Sequence, residues 1–138
     1  MPPRILIVED QITLAKNLKH YIDRFGADVH IAADGEQALA MLDLFMPDAM
    51  VMDYGLPGMD GLTLYTELVR RAGRRIECIM ITGNSDPGLM QTVHAKGIRH
   101  VVCKPFSFSE LSALIRECLS AATMVKQAAI SDESKEVV

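Results

Sequence analysis

The chain has 138 residues, of which 49% are hydrophobic, and its formal net charge is −4 at pH 7. A chain of this length buries roughly 68–70% of the surface that its unfolded state exposes, so we expect one domain that needs no disulfide or metal to fold. The acidic balance argues against direct nucleic-acid binding, and the lack of a signal peptide or of an apolar run of about 18 residues predicts a cytoplasmic protein without membrane contact.

Short apolar runs predict five strands along the chain. Four of the runs are continuous rather than alternating, which is typical of strands that are covered on both faces of a sheet. A weaker strand follows Gly26. In chain order, the predicted strands are residues 5–8, 28–32, 49–52, 79–81 and 101–103.

Segments with the period of a helix separate these strands, as Leu14, Leu18 and Ile22 illustrate for the first of them. Helix-capping residue types stand at the predicted starts of the second, fourth and fifth helices: Asp34, Asp86 and Ser109. Five strands that alternate with five helices predict an α/β fold, a doubly wound parallel sheet with helices on both faces. For this length we expect the flavodoxin-like strand order 2-1-3-4-5, with the functional crevice at the carboxyl ends of the strands.

The predicted domain ends near residue 122, because helical periodicity fades after that point. We therefore interpret residues 1–122 as one domain and residues 123–138 as a polar tail or the start of a linker. A further domain of a longer protein would follow there. The cysteines Cys78, Cys103 and Cys118 are odd in number and lack a CxxC spacing, so we interpret them as small core residues rather than zinc or redox sites.

The first polar residues after four of the strands carry the candidate chemistry. They are Glu9 and Asp10 after strand 1, Asp53 after strand 3, Thr82 after strand 4 and Lys104 after strand 5. Three carboxylates that converge in a crevice repel one another, which is relieved by a raised pKa or by a bound cation. Oxygen ligands without a nearby His or Cys favour Mg²⁺ over zinc.

Lys104 then has an anionic partner in Asp53. A lysine, a hydroxyl group and a metal ion together exceed what one carboxylate needs, but they match the requirements of a phosphoryl group. We therefore hypothesise that Asp53 is a nucleophile that accepts a phosphoryl group as an acyl phosphate. The alternative is a structural carboxylate that Lys104 merely neutralises.

At the level of motifs, the chain resembles the receiver domain of bacterial two-component response regulators. The resemblance covers residues 4 to about 122 and rests on four segments: "ILIVEDQ", "VMDYGLPGMDG", "IMITGN" and "VVCKPFS". It implies that Asp53 is the phosphoacceptor, that Thr82 and Lys104 contact the phosphoryl oxygens, and that the Lys104–Pro105 bond is cis. It also implies a signalling domain rather than an enzyme, although such a domain assists its own phosphorylation and dephosphorylation.

The same resemblance implies a Mg²⁺ site and a set of partners. Mg²⁺ would be held by Asp10, Asp53 and the backbone carbonyl of Gly55, with Glu9 acting through water. The phosphoryl donor would be a sensor histidine kinase or a phosphotransfer protein. The output would be a downstream protein partner or a C-terminal output domain, with phosphorylation-dependent dimerisation as a further possibility. Val101 stands where the family usually has an aromatic switch residue, so we expect the segment 83–89 after strand 4 to move instead.

Three alternatives remain open at this point. A dehalogenase-like phosphatase also uses a nucleophilic aspartate, but its nucleophile follows the first strand in a DxD arrangement, whereas Asp53 follows the third. A flavodoxin-like cofactor carrier is disfavoured because "EDQIT" places acids where a flavin phosphate needs amides and hydroxyls. A receiver-shaped interaction module that is never phosphorylated is disfavoured, because such a module would not need the complete set of phosphorylation-site residues that this sequence has.

Overall fold

In the computed structural model, five parallel strands form one sheet in the order β2-β1-β3-β4-β5, as the sequence predicts. The structure describes residues 2–136, with side chains described for residues 2–122. The strands are β1 Arg4–Val8, β2 Asp28–Ala32, β3 Ala49–Asp53, β4 Glu77–Thr82 and β5 His100–Cys103. All four pairings in the sheet are parallel, so every strand ends at the same edge.

Five α-helices connect and follow the strands, with a 3₁₀ turn at Asp23–Phe25. The helices are α1 Ile12–Ile22, α2 Gly35–Met41, α3 Gly61–Ala72, α4 Pro87–Ala95 and α5 Phe108–Glu136. The carboxylates of Asp34 and Asp86 cap α2 and α4, as predicted. The prediction that Ser109 caps α5 is wrong, because the helix begins one residue before it. The Ser107 hydroxyl accepts a hydrogen bond from the Glu110 amide instead, at 3.1 Å.

The sheet separates two apolar layers. On one face Leu6, Met50 and Met80 pack under α2, α3 and α4, and on the other face Ile5 and Ile79 pack under α1 and α5. Successive residues of a strand point to opposite faces, so a strand that is covered on both faces is apolar at every position. This explains why the predicted strands are continuous apolar runs.

The last helix extends beyond the predicted domain boundary. Its backbone is helical through Glu136, so the segment after residue 122 continues α5. The side chains of residues 123–138 lie outside those that the structure describes, and the interpretation of this segment as a polar tail or linker stays a prediction. Within residues 2–136, no helix combines the length and the apolar character that crossing a membrane requires.

Candidate functional site

The hydrogen-bond ladder of the sheet places the predicted site residues at one edge. The Tyr54 amide donates to the Ile81 carbonyl at 2.8 Å, and the Lys104 amide donates to the Thr82 carbonyl at 2.8 Å. The Glu9 amide donates to the Ala32 carbonyl at 3.0 Å. Each strand is thus held to its neighbour up to the residue that carries the candidate chemistry. Strand pairing, rather than loop conformation, therefore fixes the backbone positions of the residues that carry these side chains.

Asp53 is the centre of the site, and it is buried. Its Oδ2 accepts a hydrogen bond from Lys104 Nζ at 2.9 Å, and its Oδ1 accepts one from the Gly55 amide at 3.0 Å. The ion pair between Asp53 and Lys104 that the sequence predicts is confirmed. The Nζ atom also lies 3.9 Å from Glu9 Oε1.

The charge state of this pair follows from its surroundings. Burial alone would raise the pKa of Asp53, but the neighbouring Glu9 carboxyl group and the hydrogen bonds from Lys104 and the Gly55 amide lower it below its ordinary value. Burial likewise tends to lower the pKa of Lys104. The hydrogen bond to Asp53 and the charges of Asp53, Glu9 and Asp10 outweigh that tendency and raise it. At neutral pH the site therefore contains an anionic carboxylate beside a cationic ammonium group.

Glu9 is the unusual member of the group. Its side chain is only 2% exposed, and neither carboxylate oxygen has a hydrogen-bond donor among the described residues. Burial, and then hydrogen bonding and repulsion from Asp53, raise the pKa of Glu9 to about 8. Only as a protonated acid can Glu9 donate a hydrogen bond to Asp53. An ionised Glu9 needs a cation, and Lys104 at 3.9 Å is too distant to hydrogen-bond to it.

The three acids fit a divalent cation. Carboxylate oxygens of Glu9, Asp10 and Asp53 all lie within 4.8 Å of one another, and Asp10 is exposed to solvent. An oxygen-only set with access to water suits Mg²⁺, which keeps several waters when it binds to proteins. The oxygens of an ionised Glu9, which are buried without a hydrogen-bond partner among the described residues, would gain most from such a cation.

We predict that Glu9 gives the metal-free protein a specific pH dependence of stability. Because the folded-state pKa of Glu9 is raised from 4.5 to about 8, its contribution to the free energy of unfolding is complete below about pH 4.5 and is lost as the pH rises through about 8. Glu9→Gln is neutral at every pH and should remove this loss. Urea unfolding with a chelator at about pH 5 and about pH 9 measures the difference between the two proteins. Equal pH slopes for the variant and the parent would contradict the assignment.

Thr82 lies at the same edge, but its hydroxyl group is engaged by its own loop. The Thr82 Oγ1 atom accepts a hydrogen bond from the Asn84 amide at 3.0 Å and lies 3.3 Å from the Asn84 carbonyl oxygen, to which it donates. Thr82 is buried. Because the hydroxyl has one proton, it must stop donating to the Asn84 carbonyl before it can donate to a group on Asp53. The Lys104–Pro105 bond on the neighbouring strand is cis, as the resemblance implies.

Gly61 packs directly behind Asp53, a role that no pattern in the sequence indicates. A Cβ atom added at Gly61 would lie 2.5 Å from the Asp53 carbonyl oxygen and 2.9 Å from Tyr54 Cα. The Gly61 amide donates to the Tyr54 carbonyl at 2.7 Å. The start of α3 thus packs directly on the backbone that carries Asp53. Gly58, in the loop between β3 and α3, shapes a turn, since its φ angle of 80° is one that glycine adopts readily.

Comparisons with known proteins agree with this geometry. Residues 5–116 match the family described as response regulator receiver domain. The phosphate regulon transcriptional regulatory protein PhoB of Rhizobium meliloti is 32% identical over 86% of this chain and 53% of its own length. The DNA-binding response regulator MtrA of Mycobacterium leprae is 33% identical over 84% of this chain and 51% of its own length.

Solved structures show the same fold. The signal receiver domain of an HD domain-containing protein from Pseudomonas fluorescens has a TM-score of 0.82 at 27% identity, covering 90% of this chain and 99% of that one. A CheY-like receiver domain from Methanospirillum hungatei has a TM-score of 0.81 at 26% identity, covering 90% and 98%. The chain spans about half the length of the curated relatives that it matches. These matches favour a receiver over the phosphatase and flavin-carrier alternatives.

Proposed function

The chain belongs to the family of response regulator receiver domains, which are phosphorylation-dependent switches of two-component signalling, and we propose that Asp53 is its phosphoacceptor. One observation carries this assignment. Asp53 is a buried carboxylate with a lowered pKa that is held by Lys104 and the Gly55 amide at the edge where Glu9 and Asp10 also converge. A carboxylate that only had to be neutralised would need Lys104 alone.

The proposed reaction is a phosphoryl transfer from a phosphohistidine of a sensor histidine kinase or a phosphotransfer protein. An oxygen of Asp53 forms a bond to phosphorus, and the phosphorus–nitrogen bond of the donor breaks, with its electron pair returning to the imidazole nitrogen. The low pKa of Asp53 keeps this oxygen anionic. The Lys104 ammonium group is close enough to Asp53 to form an ion pair with an oxygen of the incoming phosphoryl group. The product is an aspartyl phosphate.

We propose that Asp10, Asp53 and the backbone carbonyl of Gly55 hold Mg²⁺, with Glu9 acting through water. When bound, the ion would supply positive charge to phosphoryl oxygens. Asp10 is exposed, so an ion that it binds can keep its waters, whereas Glu9 is enclosed. Binding of a cation would also favour the ionised form of Glu9.

The proposed setting is the cytoplasm, where the chain would act on a protein partner rather than directly on nucleic acid. The curated relatives named above are a transcriptional regulatory protein and a DNA-binding response regulator, and the chain matches about half of each. This supports an output domain beside the receiver in a longer regulator. A downstream protein partner and a second phosphorylated copy are the other outputs that we propose.

Labelling with acetyl phosphate tests the proposed function. We expect one phosphoryl group per chain in the presence of Mg²⁺ and none with a chelator, as measured by intact-protein mass. Asp10→Asn should raise the Mg²⁺ concentration for half-maximal labelling by about tenfold or more, and Glu9→Gln by less, because only Asp10 is expected to be a direct ligand. A parent protein that stays unlabelled with Mg²⁺ would instead support a module that is never phosphorylated.

We predict that phosphorylation moves the segment after β4 rather than a side chain on β5. To donate to a phosphoryl group on Asp53, Thr82 must give up its hydrogen bond to the Asn84 carbonyl, which loosens residues 83–89 and the start of α4. Val101 is half-buried, and its β-branched side chain has too little reach to fill the space that Thr82 leaves. Amide exchange with beryllofluoride and Mg²⁺ should change most in residues 83–94. A response centred on Val101 and α5, with this segment unchanged, would refute the route.

A further inference from the structure

A second group of metal-ligating side chains lies at the opposite edge of the sheet from Asp53. Glu77 is the first residue of β4, His100 is the first residue of β5, and Cys118 is on α5. One ligand atom of each residue lies within 4.8 Å of the ligand atoms of the other two. This edge is formed by the amino ends of the strands, so the group is separate from the phosphorylation site.

His100 has an unsatisfied nitrogen that points to a missing partner. Its Nε2 atom is buried and has no hydrogen-bond partner among the described residues, and its side chain is only 11% exposed. The Glu117 carboxylate is 3.7 Å away, which is longer than a hydrogen bond. A buried imidazole nitrogen without a partner carries a desolvation cost that a bound ion would offset.

We propose that Glu77, His100 and Cys118 bind Zn²⁺ or a chemically similar divalent cation, with Glu117 as the fourth ligand. A sulfur, a nitrogen and carboxylate oxygens form the donor set of zinc sites and not of Mg²⁺ sites. Ligand atoms around a tetrahedral zinc ion are about 3.3–3.8 Å apart, given bond lengths of about 2.0–2.3 Å. The ligand atoms therefore need to approach one another by at most about 1.5 Å, which side-chain rotation can supply.

Two features of the group work against metal binding, and both limit the affinity. Burial raises the pKa of Cys118 to about 12, so the thiol must lose its proton to the solvent when it binds the ion. The Arg99 guanidinium donates to both Glu77 oxygens at 2.9 Å and competes with a cation for them. Arg99 is 53% exposed, however, and can swing into solvent.

The ion can reach the group from solvent. A surface groove of about 400 Å³ is bordered by Arg99, His100, Glu117 and Ser120. The bound ion would join α5 to β4 and β5, because each of these elements contributes one of the three inner ligands. The interpretation of Cys118 as a core residue still holds, since it is fully buried, but burial and ligation are compatible in zinc sites.

Titration with Zn²⁺ and with Co²⁺, in a large excess of Mg²⁺, tests this site. We expect one equivalent of Zn²⁺ to bind by calorimetry, and Co²⁺ to show thiolate-to-cobalt charge-transfer absorption. The acidic group around Asp53 cannot produce that absorption, because it contains no sulfur. Cys118→Ser and His100→Gln should each weaken Zn²⁺ binding by about tenfold or more and remove or strongly reduce the absorption.

Matched controls are available in the same chain. Cys103→Ser changes the half-buried cysteine at the far end of β5, and His30→Gln changes a histidine on β2, so both should leave Zn²⁺ affinity within about twofold. Circular dichroism and Mg²⁺-dependent labelling confirm that each variant is folded. The site is refuted if the parent protein shows no thiolate absorption. It is also refuted if folded Cys118→Ser and His100→Gln variants bind Zn²⁺ as the parent does.

Discussion

Replacing Asp53 with asparagine is expected to abolish phosphoryl labelling by acetyl phosphate. The amide is nearly the same size as the carboxylate, but it is neutral and lacks the anionic oxygen that forms the bond to phosphorus. The Gly55 amide can still donate to the side-chain oxygen, so the local backbone should be retained. Intact-protein mass spectrometry after incubation with Mg²⁺ measures the result, and peptide mapping of the parent protein should place the phosphoryl group on Asp53.

The matched control for this variant is Asp60→Asn. Asp60 is an exposed acid on the loop between β3 and α3, where its carboxylate accepts a hydrogen bond from the Thr63 amide at 2.7 Å. Asparagine caps helices about as well as aspartate does, so this variant should be labelled like the parent. If Asp53→Asn is labelled to the parent's extent, another residue is the phosphoacceptor, and the role assigned to the Asp53–Lys104 pair is wrong.

The architecture and the members of the site could be predicted from the sequence because both depend on repeated local signals. Continuous apolar runs identify buried parallel strands, and parallel strands end at one edge, so the first polar residue after each run belongs to a common site. Asp53, Thr82 and Lys104 were predicted in this way, and the direct contact between Asp53 and Lys104 at 2.9 Å follows from strand pairing.

Other features depend on distances that no local pattern encodes. Glu9 and Asp10 are adjacent acids in the sequence, yet Glu9 is enclosed, without a hydrogen-bond partner among the described residues, whereas Asp10 is exposed. This difference depends on how the neighbouring strands pack around the end of β1. The cluster of Glu77, His100 and Cys118 cannot be predicted from the sequence either, because its members are far apart in the chain. Glu77 and His100 lie at strand starts rather than strand ends, and Cys118 lies on α5. No ligand spacing in the sequence marks them.

Replacing Gly61 with alanine is expected to destabilise the protein and to slow its phosphorylation. The added Cβ would lie 2.5 Å from the Asp53 carbonyl oxygen, and since this neighbour is backbone, α3 or the end of β3 must shift. Overpacking of this kind costs about 1–3 kcal/mol, whereas the helix propensity of alanine returns at most about 1 kcal/mol. We therefore expect a net loss of about 1–2 kcal/mol in the free energy of unfolding, measured by urea denaturation.

Gly83→Ala is the matched control, because a Cβ at Gly83 meets no atom within 4 Å and its φ angle is not in the left-handed region. Its free energy of unfolding should change by less than about 1 kcal/mol. The shift caused by Gly61→Ala moves the same peptide that carries Asp53, so the rate of labelling should fall even in conditions where the variant is fully folded. If Gly61→Ala is as stable as the parent and is labelled at the same rate, the start of α3 can shift to accommodate the added Cβ without a measurable cost in stability. The close packing of Gly61 against the backbone at Asp53 would then not be what positions the phosphoacceptor.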